Sequence, residues 1–250
     1  GNFYYPSSAG QGVDIYLLDM GINTNHDDFD TYKGQSYERT VSCDAISDEI
    51  NFYLTTGDEK RKCYVDNNNP YHGTITSSIA GGKLIGVAKK ANIHMIAVDA
   101  TNSSILKSLD YILNNGKKNK TVISISINGI ESYDHLLNDK FNDLLNEGFI
   151  FIFAAGNDNQ NVCSTKYSKI FYSYTGYNRL INVGAVDSEI KNNEVVRSEY
   201  SNFGKCIDIF APGDVIDISS MRSNSDVLRD YEGTSFSAPM VAGVAATIIS

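Results

Sequence analysis

A chain of 250 residues is long enough to bury a sizeable core, and α/β folds of this length are commonly one domain, so a single domain over residues 1–250 is expected. An apolar content of 42%, a charged content of 20% and 20 glycines describe an ordinary globule, with no apolar run near the ~20 residues that a membrane span needs. The balance of 30 acidic residues against 21 Lys and Arg, a net charge of −9, removes the basic footprint of a nucleic-acid binder.

The chain opens at Gly1-Asn2-Phe3-Tyr4 without a positively charged and apolar leader. Val13–Leu18 is the first short apolar run, closed by Asp19 ahead of Met20-Gly21. Arg39–Pro70, rich in Asp, Asn, Lys and Thr, has no periodicity and is expected to be a surface excursion with a hairpin around Thr56-Gly57-Asp58. His72 then precedes Gly73-Thr74 and a helix predicted over Thr74–Ala80. A strand over Ile93–Val98 leads to a helix over Ser104–Leu113, apolar at Ile105, Leu109 and Ile112. Thr121–Ile127 runs into Asn128-Gly129, a helix spans His135–Asn146, and Phe149–Ala155 runs into Gly156-Asn157. Strands over Leu180–Val186 and Cys206–Phe210 and a helix over Ser237–Ile249 complete the chain.

These β-branched runs are too apolar and too short for half-exposed strands, so they read as buried parallel ones. Their alternation with helices predicts an α/β fold: a doubly wound, mainly parallel sheet flanked by helices. Chemistry in such sheets collects beyond the carboxyl ends of the strands, where Asp19, Asn128-Gly129 and Gly156-Asn157 stand.

Taken alone, Asp19 fits a turn, His72 a cap or a satisfied histidine, and Ser235 a helix N-cap. Together they stand beside glycines at element boundaries in the order Asp…His…Ser, one of three orders known for serine hydrolases. The stretches "VDIYLLDMGINTNHDDF", "HGTITSSIAG", "VISISING", "FAAGN", "SNFGKCIDIFAPG" and "GTSFSAPMVAG" follow in sequence. On these the chain resembles the subtilisin-like serine peptidases, the subtilases, and within them the proteinase K-like branch, from about residue 13 to the end.

The resemblance implies a serine endopeptidase: Ser235 as nucleophile, His72 as its base, Asp19 orienting the imidazole, and Asn157 donating to the oxyanion beside the Ser235 N–H. Ser126, Ile127, Asn128 and Gly129 would hold a protein or peptide substrate as an added strand. The final helix becomes a pedestal, with Pro239 in its first turn, where N–H groups have no intrahelical acceptor to lose. No cofactor is required for this chemistry. Asp208 falls at a calcium-ligand position of the family, with backbone carbonyls near Asn178 and Leu180; a solvated or paired aspartate is the alternative. "NHDDFD" at 25–30 resembles a structural loop rather than a metal site.

Several positions depart from the family pattern. Met20 replaces a Ser or Thr, removing a hydroxyl near Asp19, and Asn128 replaces glycine on the wall of the primary pocket, implying a smaller or more polar one. Ile75 replaces a second histidine and reads as packing. "VDATNSSILKSLDYI" is short, which leaves a second substrate-flanking strand in doubt, and the tyrosine-rich "DNQNVCSTKYSKIFYSYTGYNRL" is long, which hides the pocket floor. Such departures keep a rival in view: a catalytically silent subtilisin fold that binds peptides or partners. A third reading passes the acyl group to an amine, making a peptide ligase.

Cys43, Cys63, Cys163 and Cys206 have no short metal spacing; three disulfide pairings, or four reduced thiols, are open to them. The resemblance implies Cys163–Cys206, which leaves Cys43 for Cys63. With the sequons at Asn102 and Asn119, this favours a secreted protein or a secretory-pathway lumen. A monomer is expected, with an inhibitory pro-segment and a C-terminal continuation outside the chain, and with neither nucleic acid nor membrane as partner.

Overall fold

A computed structural model describes residues 5–65, 71–177, 179–188, 194–218, 223–225 and 227–250, with backbone alone at 216–218 and 228–230. In chain order the strands are β1 (Asp14–Asp19), β2 (Gly21–Asn23), β3 (Val41–Ser47), β4 (Phe52–Leu54), β5 (Lys62–Tyr64), β6 (Asn92–Val98) and β7 (Thr121–Ile125). They continue with β8 (Ile130–Glu131), β9 (Ile150–Ala154), β10 (Phe171–Tyr172), β11 (Ile181–Val186), β12 (Ile209–Pro212), β13 (Asp214–Ile218) and β14 (Val227–Glu232). The helices are α1 (His72–Gly81), α2 (Asn102–Asn115), α3 (His135–Asn146) and α4 (Thr234–Ile249).

Eight strands form one sheet in the order β12-β11-β9-β7-β1-β6-β3-β4, parallel except for the β3–β4 hairpin at one edge. Alternate side chains serve opposite faces, as a period of two demands. Ile15, Leu17, Val122, Ile152 and Ala154 pack with Ala80 of α1 and with Ala238, Ala242 and Ala246 of α4. Tyr16, Leu18, Ile123, Phe151 and Phe153 pack with Ile105, Leu109 and Ile112 of α2 and with Leu137, Phe141 and Leu144 of α3. The alanines allow α4 to lie close against the sheet, whereas α2 and α3 fill wider gaps with branched and aromatic side chains. Helix starts follow local chemistry: the Thr101 hydroxyl accepts from Ser104 N–H, and Asp134 accepts from the N–H groups of Leu136 and Leu137.

Residues 39–65 correct the expected surface excursion. Val41–Ser47 is a strand of the main sheet, paired parallel to β6, and its hairpin turns between Ser47 and Phe52 rather than around Gly57. Gly57–Lys60 is a short 3-10 turn. A register shift between Cys43 and Ala45 breaks the alternation, and β3 carries Ser42 and Asp44 between its apolar residues and ends on Ser47, so its sequence hides a strand that burial makes plain.

A second correction concerns Pro239. The helix begins at Thr234, not Ser237, so Pro239 is its sixth residue and lies beyond the first turn. Proline there denies the Ser235 carbonyl its i+4 donor. The Ser126 hydroxyl donates to that carbonyl at 2.9 Å instead. The proline is accommodated because a neighbouring strand end supplies the missing hydrogen bond.

Candidate active site

β9, β7 and β1 are neighbours in the sheet, so their carboxyl ends deliver Asn157, Ser126–Gly129 and Asp19 to one edge of the molecule. α1 brings His72 there by resting its first turn on β2. A Cβ on Gly73 would fall inside contact distance of the Gly21 carbonyl oxygen and 2.8 Å from Met95 Cε, so this approach requires glycine. α4, which packs on the same face of the sheet as α1, brings Ser235 to the same edge.

Asp19 is 1% exposed and accepts three hydrogen bonds. His72 Nδ1 lies 2.7 Å from Oδ1, Met20 N–H donates to the same oxygen at 2.7 Å, and the Thr76 hydroxyl donates to Oδ2 at 2.9 Å. Thr76 stands one helical turn after His72 and gives Asp19 a hydroxyl donor where Met20 offers only its N–H. The i+4 spacing is the signal that could have found it.

Ser235 and Ser126 interlock. The Ser235 hydroxyl donates to the Ser126 carbonyl at 3.2 Å, opposite the Ser126 bond to the Ser235 carbonyl. Asn157 is exposed, but its amide is oriented. Thr234 N–H and the Thr234 hydroxyl both donate to Asn157 Oδ1 at 2.9 Å, while that hydroxyl accepts from Gly156 N–H at 3.0 Å. With Oδ1 occupied by two donors, Nδ2 is left to serve an incoming group. Buried Asn202 ties the same loop, accepting from Asp158 N–H and Gln160 N–H at 3.0 Å and donating to the Ala155 carbonyl at 2.9 Å. Thr234 and Asn202 lie within the stretches "GTSFSAPMVAG" and "SNFGKCIDIFAPG", but neither carries a local signal of its role.

His72, Ser126, Ile127, Asn128, Gly129, Asn157 and Ser235 line one cleft of about 570 Å³ with Met20, Ala154, Gly156 and Tyr172. Gly129 is pinned from behind, since the Ser173 hydroxyl accepts from its N–H at 2.9 Å and Ser173 N–H donates to its carbonyl at 2.9 Å. The tyrosine-rich segment thus supplies a wall through β10, which pairs with β8, and sends Tyr174 and Tyr177 into the core. On the other flank, residues 99–101 pass directly from β6 into α2.

The structure joins Cys43 to Cys63 and Cys163 to Cys206. Asp208 Oδ2 accepts from Asn182 N–H at 2.8 Å, so half of this carboxylate already has a backbone partner. Asn178 lies outside the described residues, and among those described no group of three or more His, Cys, Asp or Glu is disposed to hold a metal ion. No ligand set for calcium follows from this geometry. In the 25–30 loop, buried Asp28 accepts from the Ser78 hydroxyl at 2.6 Å and the Leu84 N–H at 2.5 Å, fastening the loop to α1 and the turn after it.

A family model described as the subtilase family matches residues 10–250. The chain is 31% identical over 256 residues to "Subtilisin-like protease 2" of Pseudogymnoascus destructans, covering 99% of this chain and 54% of that protein. It is 33% identical over 248 residues to the "Extracellular serine proteinase" of a Thermus species, covering 97% and 52%. The chain therefore spans about half the length of the curated relatives it matches. A solved structure of a cold adapted subtilisin-like serine proteinase matches with a TM-score of 0.71 and 27% identity, over 98% of this chain and 77% of that one. The mainly parallel sheet with its flanking helices is therefore a subtilisin-like α/β fold.

Proposed function

Because this chain belongs to the subtilase family, we propose that it is a serine endopeptidase that hydrolyses peptide bonds through an acyl-enzyme on Ser235. One observation carries the reading: a buried Asp19 lies 2.7 Å from His72 Nδ1, and His72 shares its cleft with Ser235 and Asn157.

A serine hydroxyl is a poor nucleophile at neutral pH and needs a base of fixed tautomer. Asp19 accepts from Nδ1–H, which leaves Nε2 to take the Ser235 proton as Oγ attacks the scissile carbonyl. His72 returns that proton to the leaving amine, and water then repeats the sequence to release the acyl group. The grip of Thr234 on Asn157 Oδ1 supports Nδ2 as one oxyanion donor, with the Ser235 N–H as the other. Before substrate enters, the Ser235 hydroxyl donates to the Ser126 carbonyl, so the proton must turn toward His72 on binding. Catalytic hydrogen bonds commonly tighten only in the complex.

The substrate adds a strand along Ser126–Gly129. Among the described residues, the N–H and C=O of Asn128 have no hydrogen-bond partner, which supports this edge as the one used. With three residues between β6 and α2, the opposite flank contributes little main-chain pairing. The mechanism draws on the chain's own groups and routes no step through a metal. Two disulfides and the likeness to the extracellular Thermus proteinase support secretion, and no helix of the described residues is long and apolar enough to cross a membrane. A monomer made with an inhibitory pro-segment belongs to the same proposal.

A fluorophosphonate probe tests the reading directly. It is expected to label the folded protein and not Ser235→Ala, with kcat/KM rising with pH as His72 loses its proton. Folded protein that takes no label would favour the silent peptide-binding module instead. Product masses with an added amine separate hydrolysis from ligation.

A further inference from the structure

We propose that the Asn128 side chain plugs the primary pocket, so that the enzyme cuts after short, uncharged side chains such as Gly, Ala or Ser and rejects large aromatic and aliphatic ones. The inference rests on the peptidase reading above and names the substrate class of that same cleft.

β7 and β9 pair in parallel as far as Ile125 and Phe153. Past those strand ends, Ser126–Gly129 lines one wall of the cleft and Ala154, Gly156 and Asn157 line another. A peptide whose carbonyl carbon meets Ser235 Oγ, with its oxygen at Asn157, must send the side chain of that residue between these two walls. The space is already crossed. Asn128 Nδ2 donates to the Ala154 carbonyl at 3.1 Å, bridging one wall to the other. The amide also lies over Gly156, where a Cβ would stand 3.1 Å from both Cγ and Nδ2 of Asn128. Gly156 has φ +97, a conformation that favours glycine, and a Cβ there would crowd Asn202 Nδ2 as well as the Asn128 amide.

The hydrogen bond to Ala154 fixes the amide, because the opposite orientation would set two carbonyl oxygens against each other. Oδ1 then remains as the acceptor. A methyl or hydroxymethyl group enters without disturbing this bridge. A benzyl or isobutyl group must displace the amide, break its bond to Ala154 and leave that carbonyl without a donor. Pocket discrimination of this kind amounts to roughly 10- to 200-fold in kcat/KM.

The test uses peptide substrates differing only in the residue before the scissile bond, Ala or Phe. The wild-type protein is expected to prefer Ala by at least about tenfold, and Asn128→Gly and Asn128→Ala to shift the Ala-to-Phe ratio of kcat/KM toward Phe by about tenfold or more. The same peptides, bound without cleavage to Ser235→Ala, should show the same preference in Kd, and adding Asn128→Gly should move it likewise. Wild-type protein that cuts after Phe as readily as after Ala overturns the proposal, as does an unchanged ratio in folded variants. If neither variant folds, the wild-type ratio decides. If the protein takes no fluorophosphonate and cuts nothing, the peptidase reading fails, and the Kd ratio on Ser235→Ala still decides whether Asn128 closes the pocket.

Discussion

A carboxylate as deeply buried as Asp19 is tolerable when hydrogen bonds replace its lost water, and here two donors come from α1, the His72 imidazole and the Thr76 hydroxyl, and the third from the N–H of the following residue. Thr76→Val keeps the shape and removes one donor. Hydrogen bonds to charged groups contribute about 1.5–3 kcal/mol, so kcat is expected to fall by roughly tenfold or more with KM little changed. Kinetics matching the wild type would show that Thr76 does not position Asp19. Thr234 is the corresponding positioning residue for Asn157. Thr234→Val, which removes the hydroxyl and keeps the N–H donor, should lower kcat by less than Asn157→Ala does, and the double variant should cost little more than Asn157→Ala alone. Additive losses in that cycle would mean that Thr234 does not work through the amide.

Two features belong to whole elements. At the head of α4, Pro239 and Ser126 form a compensating pair, the proline removing a donor and the serine hydroxyl restoring one. Ser126→Ala should therefore cost about 1–3 kcal/mol by orphaning the Ser235 carbonyl. On a Pro239→Ala background, where the helix supplies its own N–H, the same substitution should cost clearly less in urea melts. The second feature ties β1, β3 and β6 together. His94 stacks on Tyr16, its Nδ1 lies 2.8 Å from Asp44 Oδ2, and its Nε2 lies 3.8 Å from Asp14, which also binds Lys117 and Asn92. Burial opposes charge on His94, but the two carboxylates prevail and push its pKa up to about 9. Tyr16 beside it is raised out of its ordinary range, first by burial and then by Asp44, so its hydroxyl stays neutral. Asp14 ends below the ordinary carboxylate range despite burial, held there by His94, Lys117 and Asn92.

The sign for His94 follows from linkage. A raised folded pKa means that its stabilisation is fully present below the unfolded value of about 6.5 and is lost as pH rises through about 9. On a Ser235→Ala background, chosen so that the proposed activity cannot digest the sample, stability should fall by about 3 kcal/mol between pH 6 and 10, and His94→Gln should flatten that decline. Equal slopes in the two proteins would exclude His94 as the cause.

For the whole molecule, the disulfides bracket the site. Cys43–Cys63 joins β3 to β5, which pairs with β2 directly after Asp19, and Cys163–Cys206 fastens the segment after Asn157. They close loops with separations of 20 and 43 residues, for which chain entropy gives about 3 and about 4 kcal/mol. Reduction should lower Tm and also slow fluorophosphonate labelling, since both flanks of the cleft loosen. Labelling that keeps its rate while Tm drops would confine the disulfides to a stabilising role.

Much of this was legible in the sequence because it is encoded locally. The apolar runs at 13–18, 93–98, 121–127 and 149–155 have no exposed face to offer, so they read as central parallel strands, and the helices over 104–113 and 135–146 carry their own periodicity. The residues at the strand ends, Asp19, Asn128-Gly129 and Asn157, follow from the same pattern. Strand β3 did not follow, since its polar residues and shifted register reveal burial only once β6 lies beside it. The Thr76 hydroxyl, the Thr234 clamp, the Ser126 bond that accommodates Pro239 and the Asn128 bridge to Ala154 were likewise decided by tertiary structure. Each joins groups that the chain separates, or that bond through side-chain atoms whose direction no local pattern sets, and a hydrogen bond exists only where folding brings donor and acceptor within about 3 Å.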